Sequence, residues 1–259
     1  MHKAQPLTFG SNLLTEIEQF GLTDELPSPF ELMRLKRDAD KLLKISAVES
    51  YVVKAGIAAL EWDAAAVLDN ASKALRLGSD VTTYLNCAHS LRFVGNIAGA
   101  ADLMVEAAQR YPMSSDVLKF AVDLLVSAGR LRVAAKMCQD FVDRSLPLAD
   151  FAESTILLAA KAEELGVTDE MMVAQAGFAF DVLTQHRRRM REYILVVSSD
   201  PDGSDVMVCR VQFIGSAIDE MRLESELACK LADLPDWNPC LFAMELLAVP
   251  LQLGELCAC

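Results

Sequence analysis

Through most of the chain up to residue 191, apolar residues recur three or four positions apart, the spacing of helices with one buried face. Leu13, Leu14, Ile17 and Phe20 begin the pattern, and a breaker-rich stretch from Gly21 to Pro27 interrupts it. Ser28-Pro29-Phe30-Glu31 is a helix start signal: Ser28 can cap, Pro29 suits the first helical position, and Glu31 can reach back. The helix it opens carries Leu32, Leu35, Ala39 and Leu42 on one stripe and Arg34, Arg37, Lys41 and Lys44 nearly opposite. Helix pairs are predicted from there: Tyr51 to Leu60 and Ala64 to Leu75, Tyr84 to Val94 and on to Tyr111, Val117 to Ala128 and on to about Ser145. A further helix opens at Asp150 and ends before Gly166, and Thr168 caps a long one predicted to reach about Arg191.

The period then changes. Tyr193 to Val197 is continuous and β-branched, Asp200 to Asp205 is turn chemistry, and Val206 to Ile214 alternates. In that alternation Met207, Cys209, Val211 and Phe213 share one face, with Arg210 and Gln212 on the other. Ser216 opens another helix, and Cys240 to Leu246 reads as a strand, giving ββαβ. So small a sheet cannot bury both faces alone, so it is expected to dock on the preceding helices. The predicted divisions are an N-terminal helical segment (1–46), helical repeats (47–191) and a small α+β domain (192–259).

Two segments show self-similarity. Gly95-Asn96-Ile97-Ala98-Gly99-Ala100-Ala101 and Gly129-Arg130-Leu131-Arg132-Val133-Ala134-Ala135 stand 34 residues apart, each a tight turn followed by paired alanines. Residues 81–148 resemble two tetratricopeptide repeats: Tyr84, Ala88, Ala100, Ala107 and Pro112 match the family's small-residue skeleton in the first copy. Leu118, Gly129 and Ala134 match it in the second. Phe141 replaces an expected alanine there, and Pro147 falls one residue late. Residues 47–80 resemble a third copy and 150–190 an irregular fourth.

The resemblance implies a mostly α fold, a right-handed solenoid of antiparallel hairpins, that binds a peptide or partner protein along a concave face lined by the first helix of each pair. It implies no catalytic residues and no cofactor. The candidate contacts on that reading are Tyr84, Asn86, His89, Arg92 and Lys119 on first helices, with Trp62 at a hairpin turn.

Composition narrows the classes further. A net charge of −13 argues against bulk attraction to nucleic acid or anionic lipid. No stretch approaches the length of a membrane span, and the first residues lack the apolar core of a signal peptide, so a cytoplasmic location is expected. Seven cysteines is an odd number, and Cys87, Cys138, Cys209, Cys229 and Cys240 each lie within apolar runs, as thiols in a reducing compartment do.

Other patterns carry competing chemistry. His186-Arg187-Arg188-Arg189-Met190-Arg191 is dense enough for a phosphate or RNA contact, and the alternative function is a regulatory protein binding nucleic acid or a nucleotide through this run and the last domain. The same run can instead pair with residues 193–259, which hold eleven acidic side chains against three basic ones. Asp200, Asp202, Gly203 and Asp205 suggest calcium, but their spacing is not that of an EF-hand loop. Cys257-Ala258-Cys259 resembles a prenylation tail with nothing else of a GTPase around it. No nucleophile or phosphate-loop motif occurs, so no enzyme activity and no metal are expected. An exposed strand of the last domain leaves pairing with a second copy open.

Overall fold

A computed structural model describes residues 9–23, 26–143, 149–199, 204–235 and 237–250. Among these residues the order is ten helices, a β-hairpin, an eleventh helix and a third strand. Two compact units divide at residues 111 and 112.

The first unit starts with α1 (Phe9–Thr23) and α2 (Pro29–Leu42), followed by the hairpins α3 (Ala47–Leu60) with α4 (Ala64–Leu77) and α5 (Val81–Phe93) with α6 (Ile97–Arg110). Gly21 is helical rather than a breaker, and a Cβ there would lie 2.5 Å from the Phe93 ring. At α2 the capping box forms in full, with Ser28 N–H donating to Glu31 Oε2 at 2.7 Å and Glu31 N–H donating to Ser28 Oγ. Leu13 and Ile17, Leu35, Ala39 and Leu42, and Val53, Ile57 and Leu60 form one core between α1, α2 and α3. The basic stripe of α2 is largely neutralised in place. Arg34 pairs with Glu16, and Lys41 lies 2.7 Å from Asp38. Lys41 foremost holds the Asp38 carboxyl below its ordinary range.

The second unit holds the hairpin α7 (Ser115–Ser127) with α8 (Leu131–Asp143), then α9 (Ala149–Glu164) and α10 (Asp169–Gln185). The sheet follows: β1 (Met190–Ser199), β2 (Asp205–Ile214), α11 (Ala217–Ala232) and β3 (Phe242–Val249). Strand order is β1-β2-β3, with β1 antiparallel and β3 parallel to β2. The face bearing Met207, Cys209, Val211 and Phe213 is buried, and Arg210 is exposed, as the alternation predicts. Docking on the preceding helices is also seen: α10 packs against α11 and β3, and the Phe180 and Tyr193 rings lie 6.5 Å apart.

The repeat is metrically regular. First helices begin at Ala47, Val81 and Ser115, and their caps Ser46, Asp80 and Ser114 each accept from the N–H three residues on. Successive helices pack on one another from α1 to α6 and from α7 to α9, which is helical-repeat architecture followed by a small α/β module. The turns share one device. Gly95 and Gly129 both have φ of 76°, and in each the next N–H reaches back five residues, Asn96 to the Leu91 carbonyl and Arg130 to that of Leu125. Gly166 repeats it at φ 74°.

Among the described residues, two other than glycine take this left-handed position, Trp62 at φ 61° and Arg187 at φ 52°. Arg187 corrects the sequence reading of the last long helix. α10 stops at Gln185 because Arg187 turns left-handed and Arg188 N–H closes on the Leu183 carbonyl. Met190 and Arg191 therefore belong to a strand. Arg187 is exposed, so Arg187→Gly relieves the backbone at no packing loss and is expected to stabilise by about 0.5–1 kcal/mol. A shift of the urea midpoint to higher concentration checks this; a shift to lower concentration refutes the strain assignment.

Cysteine burial also departs from expectation. Cys87, Cys138 and Cys209 are buried, and burial pushes the Cys87 thiol up to about 12. Cys229 and Cys240 are exposed. The inner stripe of α11 is Leu223, Leu227 and Leu231, which turns Cys229 outward, and Cys240 sits in the turn before β3.

Candidate functional site: a hydroxyl and carboxylate cleft at two helix starts

The first unit contains a cleft of about 370 Å³ between α1 and the starts of α3 and α5. Three short-range motifs shape it. Ser46 caps α3, its Oγ accepting from Glu49 N–H at 3.3 Å. Asp80 caps α5, its Oδ1 accepting from Thr83 N–H at 2.7 Å and from the Thr83 hydroxyl at 2.6 Å. Gly10 lets α1 approach, since a Cβ there would strike the Glu49 carboxylate.

The α4–α5 loop forms the far wall, held from behind. Tyr111 donates its hydroxyl to the Ser79 carbonyl, and its ring meets Tyr84 edge-on at 6.2 Å. Tyr84 is fully buried and donates to Glu106 at 2.6 Å; burial foremost, then that carboxylate, raises its pKa. The apolar floor is Leu14, Val48 and Val52. The polar rim combines the Glu49 and Asp80 carboxylates with the Ser46, Ser79 and Thr82 hydroxyls and the Asn86 amide. Of the described residues lining the cleft, none is basic. Chemically it is an acceptor-rich recess suited to a cationic group.

The residues nominated from sequence are not brought to one place. Asn86 lines the cleft. His89 is exposed and Arg92 half-buried further along α5, while Tyr84 belongs to the core. Trp62 is half-buried at the α3–α4 turn, and Lys119 is exposed on α7 in the second unit. Glu49 and Asp80 escaped sequence reading because an acid at a helix start is first of all a cap or a dipole partner.

The basic run is largely absorbed by its own unit. His186 Nε2 lies 2.7 Å from Glu226, and Arg188 lies 3.2 Å from Asp219, both on α11. Asp219 also closes the α11 capping box. Hydrogen bonds from Ser216 foremost, then Arg188, hold its carboxyl below the ordinary range. Arg189 is buried at 6% exposure, and Arg191 is exposed on β1. This is the pairing with the acidic last domain that the charge count suggested.

Asp205 pairs with Lys161 at 2.8 Å and accepts from Ser199 at 2.6 Å, while Asp200, Asp202, Gly203, Cys257 and Cys259 lie outside the described residues. Among the described residues no cluster of His, Cys, Asp and Glu is arranged to hold a metal ion, and no helix is long and apolar enough to cross a membrane. No family model, curated protein or solved structure matches the chain.

Proposed function

We propose that this protein is a non-catalytic interaction module, an adaptor or chaperone-like scaffold, that docks a lysine- or arginine-bearing segment of a partner protein. The carrying observation is the cleft: two carboxylates from two successive first helices, hydroxyls around them, and no basic lining residue among those described. In a tetratricopeptide-like array the first helices form the binding side, and here α3 and α5 pack side by side with the cleft across their starts. The net charge of −13 adds long-range attraction for a basic partner.

The test uses a dye-labelled lysine-rich peptide and the same peptide with glutamine at each lysine. Glu49→Gln with Asp80→Asn removes both charges and keeps the α5 cap, because asparagine caps as well as aspartate. Fluorescence anisotropy is expected to show the variant weaker by about tenfold for the lysine peptide, which corresponds to 1.4 kcal/mol. Wild-type protein that does not distinguish the two peptides, or a variant that binds as tightly as wild type, overturns the proposal.

A further inference from the structure

The two edges of the sheet are finished differently. On β3, Leu246 N–H donates to the Glu224 carboxylate and Ala248 N–H donates to Glu220 at 2.7 Å, both carboxylates coming from α11. That edge is closed by side chains of its own unit. The β1 edge follows from the ladder. Met207 and Gly215 donate N–H toward the β3 side, to the Leu241 and Val249 carbonyls, so odd residues of β2 face β3 and even ones face β1. Their partners on β1 are Glu192, Ile194, Val196 and Ser198. Tyr193, Leu195 and Val197 therefore aim N–H and C=O away from the sheet, and no described residue is hydrogen-bonded to those N–H groups. Only the start of this edge is irregular, where the register shifts between Met190 and Glu192.

We infer that the outer edge of β1 is a pairing surface for β1 of a second copy, the two strands running antiparallel about a two-fold axis at Leu195. In that register Leu195 meets its own counterpart, Tyr193 meets Val197, Ile194 meets Val196 and Glu192 meets Ser198. Each outward N–H finds a carbonyl, the apolar side chains meet apolar ones, and no like charges oppose. An aromatic across from a β-branched residue is among the favourable cross-strand pairs. A strand with no proline or glycine, whose outward N–H groups no described residue caps, is the template that such pairing uses. The Glu220 and Glu224 caps bar the same event at β3, so assembly stops at two copies and does not propagate.

Sedimentation velocity on the full chain tests this. Wild-type protein is expected at about twice 28.3 kDa, with the dimer fraction rising with concentration. Ile194→Lys with Val196→Lys sets lysine opposite lysine twice and is expected at 28.3 kDa. Ile194→Lys with Val196→Glu sets lysine opposite glutamate and is expected to restore the dimer, with far-UV circular dichroism matching wild type in both. Hydrogen exchange on unaltered protein gives a reading free of mutation: amides of residues 193, 195 and 197 are expected to slow as concentration rises. A wild-type chain that stays at 28.3 kDa, a dimer that survives the double-lysine change, or amides indifferent to concentration overturns the inference.

Discussion

Gly129→Ala is expected to destabilise the protein by about 3 kcal/mol, while Gly166→Ala costs about 1 kcal/mol. The two glycines differ in almost nothing but surroundings. Their φ values are 76° and 74°, and each follows a helix whose next N–H reaches back five residues. The left-handed strain imposed by a Cβ is therefore common to both, roughly 1 kcal/mol. Around Gly166 nothing lies within 4 Å of an added methyl carbon. At Gly129 that carbon would sit 2.5 Å from the Met172 carbonyl carbon and 2.5 Å from Val173 N, backbone atoms in the interior of α10. A flexible side chain can swing aside from such a clash, but a hydrogen-bonded helix backbone moves only as a body. The excess of about 2 kcal/mol is the overpacking share. Urea unfolding of both variants against wild type measures it, and equal losses would mean that the α7–α8 turn is not seated on α10.

Phe213→Ala should remove about 4 kcal/mol, and Arg210→Ala on the same strand no more than about 0.5 kcal/mol. Phe213 is fully buried on the central strand, level with Ala248 on β3 and Met190 on β1. Ala248 is too small to fill the volume of a lost ring, so a cavity term adds to the lost burial. Arg210 points the other way and pairs with Glu245 at 2.9 Å, with side chains 44% and 47% exposed. Solvent screens that pair. The contrast between the two substitutions, read by thermal unfolding with near-UV circular dichroism, reports which face of the sheet is the core; a cost at Arg210 comparable to that at Phe213 would contradict the assignment.

The helix hairpins were legible because glycine and aspartate punctuate them at a fixed interval and small residues mark where helices touch. Gly95 and Gly129 announced their turns, and the Ser28 capping box announced α2. Arg187 announced nothing. An arginine in the left-handed region has no local signature, so the apolar rhythm ran on past Gln185 to a terminus that does not exist. Cys229 misled for a related reason: α11 has Ile218 and Met221 exposed as well, so apolar residues there do not mark the inner face. The cleft was the least legible feature. Its residues come from α1, α3, the α4–α5 loop and α5, and each has a sufficient local explanation as a cap or a turn. Only the packing of α1 against α3 turns separate helix starts into one recess.

The 34-residue cadence of the caps also bears on how the polypeptide acquires its shape. Each hairpin in the first unit closes on a segment made only moments before it, so little loop entropy has to be overcome before contacts form. The parallel ladder of β3 on β2 has no such shortcut: α11 must be threaded between them before the strands can align. Structure in the first unit can thus accrue as the nascent chain lengthens, whereas the full sheet waits until β3 has been made.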